Sequence, residues 1–209
     1  MTAEPSAQPR RRVVANISLS LDGRVTGPGG DYDMSWIVPH ALTDQSRAHL
    51  AKLTNAATTA LLGRKNYEGF ESYWPSVADD ADADPRDREF ARWLNAVEKV
   101  VFSTTLEGAD WQNARIAADP ADTVRQLRRQ PSGGDIIVLS SGSIMRCLLA
   151  AGEVDRLSIT LCPEVAGSGA RLFTDELPGS SWSLTEMTST DSGAICLFYD
   201  HARPHQDGA

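Results

Sequence analysis

The sequence predicts an α/β protein built on one mainly parallel sheet, with helices on its faces and antiparallel strands added at its C-terminal edge. Three observations carry this. Strand-like apolar runs alternate with helix-like stretches up to about Cys162. The run Asp135-Ile136-Ile137-Val138-Leu139 is apolar without alternation, as expected of a strand covered on both faces. Beyond Cys162 only strand patterns follow, and they close around a turn at Asp191-Ser192-Gly193.

In chain order, Val13, Ala15, Ile17, Leu19 and Leu21 alternate with Val14, Asn16, Ser18 and Ser20, the period of a strand with one less apolar face. Asp22-Gly23 opens a long loop with Gly27, Gly29 and Gly30 that runs to Trp36 and Pro39. Leu42, Ser46, Leu50, Leu53 and Ala57 lie at helical spacing and predict a helix of about four turns. A strand from Thr58 to Leu62 then enters Gly63, with a short helix after it. Val77 to Arg88, dense in Asp and Ala, is expected to be a polar surface loop, since its carboxylates lack the glycine and terminal glutamate of a calcium loop.

Val97 to Phe102 reads as a strand ending in Ser103-Thr104-Thr105. Asp119-Pro120, a cap followed by a first-turn proline, starts a helix through Val124 and Leu127. After the strand at 135–139 come Ser140-Ser141-Gly142-Ser143 and a helix with Ile144, Met145, Leu148 and Leu149 on one stripe. Val154 to Cys162 is a further strand, and Ser181 to Thr188 with Ala194 to Tyr199 form the closing hairpin.

The 209 residues fit one domain over 12–201, with disordered tails expected at 1–11 and 202–209, and 41% apolar content supplies a sizeable core. A net charge of −8 gives no basic footprint, which argues against nucleic acid as a partner. Met1 to Arg12 has no apolar stretch long enough for a signal peptide and no segment approaches a membrane span, so a cytoplasmic protein is expected. Cys147, Cys162 and Cys196 are odd in number and form no Cys-x-x-Cys pair; they are expected to be buried thiols. His201 and His205 are placed in the polar tail, and no metal site is expected.

In an open parallel sheet, ligands bind in the crevice outside the strand C-termini. Three predicted strands end in groups that suit anions: Gly63-Arg64-Lys65-Asn66, Ser103-Thr104-Thr105 and Ser140-Ser141-Gly142-Ser143. A glycine before a helix N-terminus lets a phosphate approach backbone N–H groups, and Arg64 and Lys65 add full positive charge. A dinucleotide suits all three sites. The Gly142 turn would hold the pyrophosphate, while Arg64 and the Ser103 and Thr104 hydroxyls would meet a ribose 2′-phosphate. No acidic residue ends the 97–102 strand to take a bare 2′-hydroxyl, which favours NADP over NAD. The loop from Asp22 to Gly27 is expected to fold over the ligand as a mobile lid, with Trp36 as a stacking wall for a flat ring.

These residues carry a resemblance. Ser20-Leu21-Asp22-Gly23-Arg24, Leu62-Gly63-Arg64-Lys65-Asn66-Tyr67-Glu68, Val101-Phe102-Ser103-Thr104-Thr105-Leu106, Gly133-Gly134-Asp135-Ile136-Ile137-Val138, Gly152-Glu153-Val154-Asp155-Arg156-Leu157, Pro163 and Gly167-Ser168-Gly169-Ala170-Arg171-Leu172-Phe173 occur in order over about residues 13 to 200. Together they resemble the dihydrofolate reductase superfamily, and within it the C-terminal reductase domain of the bifunctional riboflavin deaminase-reductase. The resemblance implies a dihydrofolate reductase-like mixed sheet, NADPH as hydride donor and a homodimer built on the C-terminal region. It implies that Ala15 and the Val25-Thr26 backbone lie near the nicotinamide, Gly63 to Asn66 at the phosphates, Ser103 and Thr104 near the 2′-phosphate, and Ser140 to Ser143 under the pyrophosphate. Two positions depart from the family: Ser140 stands where glycine is usual, and Asn66 where threonine is common.

The expected function is an NADPH-dependent reduction of a small heterocycle of the pteridine or ribosylaminopyrimidine kind. Asp44, His40 and Asp33 are the candidates for proton donor. Two other readings stay open: a non-catalytic NADP-binding or sensing protein, and the pyrimidine reductase of riboflavin biosynthesis. The latter would need a second anion site for its sugar phosphate. No Cys/His zinc pattern of a fused deaminase is present in the sequence. Trp36-Ile37-Val38-Pro39 is followed by His40 and Ala41, so the carboxylate that a dihydrofolate reductase places two residues after this proline is missing.

Overall fold

The computed structural model describes residues 10–30 and 33–202. The chain begins with β1 (Val13–Leu19), α1 (Val38–Ala41), α2 (Asp44–Ala56), β2 (Ala57–Gly63), α3 (Arg64–Val77), α4 (Pro85–Ala96), β3 (Glu98–Phe102) and β4 (Ala114–Ala117). It continues with α5 (Pro120–Arg128), β5 (Asp135–Leu139), α6 (Gly142–Ala150), β6 (Arg156–Leu161), β7 (Trp182–Ser189) and β8 (Ile195–His201). The eight strands form one sheet in the order β4-β3-β2-β5-β1-β6-β8-β7. Pairings from β4 to β6 are all parallel, and β8 is antiparallel to both β6 and β7. This is the dihydrofolate reductase-like sheet expected from the sequence, with its antiparallel pairs at the C-terminal edge.

The period of two in the central strands divides the core between two faces. Ala15, Ile17, Ile136 and Val138 pack with Val124 of α5 and Met145 and Leu148 of α6. Val14, Ile137 and Leu139 pack on the other face with Leu53 of α2, Tyr67 of α3 and Phe90 and Leu94 of α4. The unbroken apolar run of β5 thus serves both faces, as its composition required. Buried polar groups fix the ends: Lys99, fully buried, donates to the carbonyls of Leu94 (2.6 Å) and Val97 (2.9 Å), satisfying the C-terminus of α4.

Several expectations are corrected. Residues 85–96 are a helix, where a polar loop had been expected through Arg88: Asp84 accepts from Arg86 N–H, Pro85 takes the first turn, and Phe90, Ala91 and Leu94 make its buried stripe. The helix after Gly63 is long, at 14 residues, and includes Pro75. Leu42 lies outside α2 and is half exposed, and β4 is a strand that the sequence reading lacked. Cys147 is exposed, whereas Cys162 and Cys196 are buried as expected. His201 closes β8 against the Trp182 ring (4.8 Å) and does not belong to a tail. Arg11, assigned to the N-terminal tail, is buried and donates to Gly134 O, Gln130 Oε1 and the Thr58 and Thr59 hydroxyls. Ala202 N–H bonds Ser181 O. The rest of the expected tails, 1–9 and 203–209 with His205, lies outside the described residues.

Candidate functional site

Because β3, β2, β5 and β1 are consecutive in the sheet, the loops leaving their C-terminal ends emerge side by side. At about 4.8 Å per strand they span roughly 14 Å. A cavity of about 1030 Å³ runs along this edge. Ser103 and Thr104 line it beyond β3, Gly63 to Asn66 beyond β2, Ser140 to Ser143 beyond β5, and Val25 and Thr26 after β1. The structure therefore brings together every predicted cofactor residue except Ala15. That residue is fully buried in mid-strand between Val138 and Leu157.

The helix starts differ in a way that bears on ligands. Thr43, Asp84 and Asp119 cap α2, α4 and α5 with side-chain oxygens, so those backbone donors are satisfied. The helices α3 and α6 begin in the groove and have no side-chain cap. Their first N–H groups have no intrahelical partner and carry the positive end of the helix dipole. Arg64, Lys65 and Arg146 line the same cavity, and no carboxylate among the described residues does. This donor set fits a ligand with several phosphates, such as a dinucleotide. A Cβ added at Gly142 would meet only ordinary contacts at 3.6 Å and beyond, so this glycine leaves room at the mouth of α6 rather than relieving a clash.

Several predicted ligand groups already have protein partners. Arg64 donates to Glu68 at 3.0 Å, and Asn66 Nδ2 donates to Leu139 O at 3.2 Å. Ser141 is buried, accepting from Gly63 N–H and donating to Leu139 O. Ser103 Oγ accepts from the N–H groups of Thr105 and Leu106 and shapes the turn after β3. Ser140 adopts φ +48°, the left-handed region in which glycine is at no disadvantage, which accounts for the glycine usual at this place in the family.

The loop after β1 is pinned, which corrects the expected mobile lid. Val25 N–H donates to Ala170 O (2.8 Å), Ala170 N–H to Thr26 Oγ1 (3.0 Å), and Arg24 to Gly169 O (2.7 Å). Gly169, at φ +104°, lies so close that a Cβ would fall 2.1 Å from Thr26 O. Asp22 accepts from Ser20 Oγ and from the N–H groups of Ala166 and Gly167. The Ser20 hydroxyl first, then those two N–H groups, lower its pKa to about 2.

The three candidate proton donors do not line the cavity. His40 is buried with Nδ1 2.9 Å from Ser192 Oγ and Nε2 3.2 Å from Glu164 Oε1, so it ties α1 to the C-terminal hairpin. Asp44 is exposed at the first turn of α2 and accepts from Arg86 at 2.6 Å. Asp33 accepts from Gly29 N–H and Ser35 Oγ and holds its own loop, its pKa lowered by those bonds. Trp36 does not line the cavity either; its indole N–H is buried without a hydrogen-bond partner among the described residues. In its place the sequence reading missed Met34, Val38, Phe70, Tyr73 and Trp74 as apolar lining. The spacing of Phe70, Tyr73 and Trp74 on one long helix was the available signal.

A mainly parallel sheet with antiparallel strands at one edge and a groove along its strand C-termini defines an α/β protein of the dihydrofolate reductase-like fold class. Residues 11–196 match the RibD C-terminal domain, and the chain belongs to that family. The uncharacterized protein YyaP of Bacillus subtilis (strain 168) is 26% identical over 191 residues, covering 91% of this chain and 95% of that protein. The crystal structure of a pyrimidine reductase-like protein from Corynebacterium diphtheriae is similar with a TM-score of 0.63 and 16% identity, covering 93% of each chain. Dihydrofolate reductase from Enterococcus faecalis, complexed with NADP(H), is similar with a TM-score of 0.57 and 14% identity, covering 92% of this chain and 97% of that one. At such identities the likeness to the two solved structures is one of fold.

Proposed function

We propose that the protein is an NADPH-dependent reductase of a small heterocycle, of the pteridine or ribosylaminopyrimidine kind. The observation that carries this is the pair of uncapped helix N-termini, α3 opening with Arg64 and Lys65 and α6 with Gly142 and Ser143, on a groove without carboxylates among the described residues in a chain of this family. In this reading the N–H groups of Gly142 and Ser143 hold the pyrophosphate. Arg64, Ser103 and Thr104 take the 2′-phosphate, and the pinned Val25-Thr26 backbone sits beside the nicotinamide. Bound NADPH supplies the hydride. The chain's own contribution is positioning and exclusion of water, since the described residues of the groove include no histidine or carboxylate to move a proton. The proton for the reduced ring then comes from solvent or a neutral hydroxyl. The same reading places the protein in the cytoplasm as a homodimer: β7 is an edge strand with Leu184 and Met187 more than half exposed, a face that a second copy would cover.

The lack of an acid among the described residues of the groove favours one second reading, a protein that binds NADP without turnover. Titration of the cofactor together with a screen of NADPH oxidation against pterins and pyrimidines separates the two. Oxidation with any of them supports the reductase, and binding without oxidation supports the second reading.

A further inference from the structure

The cavity is chemically divided. Its cations gather at the helix starts: Arg64 and Lys65 open α3, and Arg146 belongs to α6, which packs on the opposite sheet face from α3. From Phe70 to Trp74, six to ten residues beyond Arg64 and, at 1.5 Å per residue, about 9–15 Å along the helix axis, the lining is aromatic. There Tyr73 meets Trp74 edge-on at 5.2 Å, Phe70 meets Trp74 at 6.4 Å, and Trp74 is braced from behind by Phe90 of α4 at 4.7 Å. Met34 and Val38 complete the apolar lining, and Tyr73 and Val38 are more than half exposed. Phe70, Tyr73, Trp74, Met34 and Val38 carry no formal charge.

We infer that this wall is the substrate subsite, and that it takes a flat, uncharged, conjugated ring without a phosphate. The inference rests on the reductase reading above and narrows it. Aromatic side chains offer faces and edges to a planar ring, and the Tyr73 hydroxyl and Trp74 indole N–H add neutral donors that orient it. Among the described residues this wall offers no cation to a sugar phosphate, which would gain no charge-assisted contact there. The pyrimidine of riboflavin biosynthesis, which carries such a phosphate, is therefore disfavoured relative to a phosphate-free ring.

The test titrates the full chain, saturated with NADP⁺, by calorimetry with 6,7-dimethylpterin, 5-amino-6-(ribosylamino)uracil and the 5′-phosphate of the latter. The phosphate is expected to improve affinity by less than about threefold. Tyr73→Ala and, independently, Val38→Asp are expected to weaken the best-bound ring at least about fivefold while leaving the NADPH Kd within about twofold. A phosphate gain of threefold or more, no ring binding at all, or wild-type ring affinity in both variants overturns the inference with the cofactor reading intact. Failure of wild-type protein to bind NADPH overturns the cofactor reading, and this inference with it.

Discussion

The Ser141 hydroxyl accepts a hydrogen bond from Gly63 N–H at 2.9 Å, and it donates one to Leu139 O at 2.9 Å. One buried side chain thus fastens the end of β2 to the end of β5, the two strands whose loops start α3 and α6. Ser141→Ala leaves both groups without this partner and is expected to destabilise the fold by about 1–3 kcal/mol. Urea unfolding measures it, and a change under about 0.5 kcal/mol would show that the fastening contributes little.

Gly142 gives a second prediction. A Cβ there meets only Arg146 and Val25 at ordinary distances, so Gly142→Val should fold, yet it places branched carbon where the pyrophosphate is proposed to sit. The variant is expected to keep its thermal midpoint within a few degrees and to bind NADPH at least about tenfold more weakly. Wild-type affinity in the variant would put the pyrophosphate elsewhere.

A third prediction concerns acid stability. His49 is buried, stacks on Phe198 at 4.2 Å and lies 2.7 Å from Ser158 Oγ; desolvation by that burial lowers its pKa to about 4. The unfolded chain takes up this proton near pH 6.5, while the folded chain does so only near 4. Stability from this group is therefore complete above about 6.5 and lost as pH falls toward 4, by up to about 3 kcal/mol. Unfolding free energies measured from pH 7 to 4 should fall more steeply in the wild type than in His49→Gln. Parallel curves would contradict the assignment.

The particular residues show what the sequence makes legible. Asp119-Pro120 announces α5, and the structure returns the cap, with Asp119 accepting from Asp122 N–H at 2.7 Å. Asp84-Pro85 announces α4 in the same way, but the Asp and Ala run before it hides the signal in apparent loop. β4 is invisible because only Ile116 in its four residues is a large apolar side chain, at a half-buried edge. The strand-end groups are legible as anion sites, whereas their adjacency depends on β5 entering between β2 and β1, which no local pattern encodes. The partners of Asp44 and His40 are not legible in the sequence, because Arg86 and Glu164 lie 42 and 124 residues away. The aromatic wall is missed because the helix that carries it was read as short.

Dihydrofolate supplies a fourth prediction. The position two residues after Pro39 is Ala41, and Asp44, the next carboxylate along the chain, points into solvent with its charge paired to Arg86. Loss of a general acid or polarising group costs about 100- to 10,000-fold in rate. Turnover of dihydrofolate with NADPH is expected to be weak or absent. Rates of roughly 1–1,000 per second, those of a dedicated enzyme, would contradict this and make Asp44 and Asp33 the first positions to substitute.

The central claim is that the groove at the ends of β3, β2 and β5 binds NADPH, with Arg64 selecting its 2′-phosphate. Isothermal titration of wild-type protein with NADPH and NADH, repeated on Arg64→Ala, tests it most directly. A charge-assisted contact of this kind is worth about 1.5–3 kcal/mol. The account predicts that NADPH binds at least about tenfold more tightly than NADH, and that Arg64→Ala removes most of the difference; equal dissociation constants for the two cofactors in the wild-type protein would contradict it.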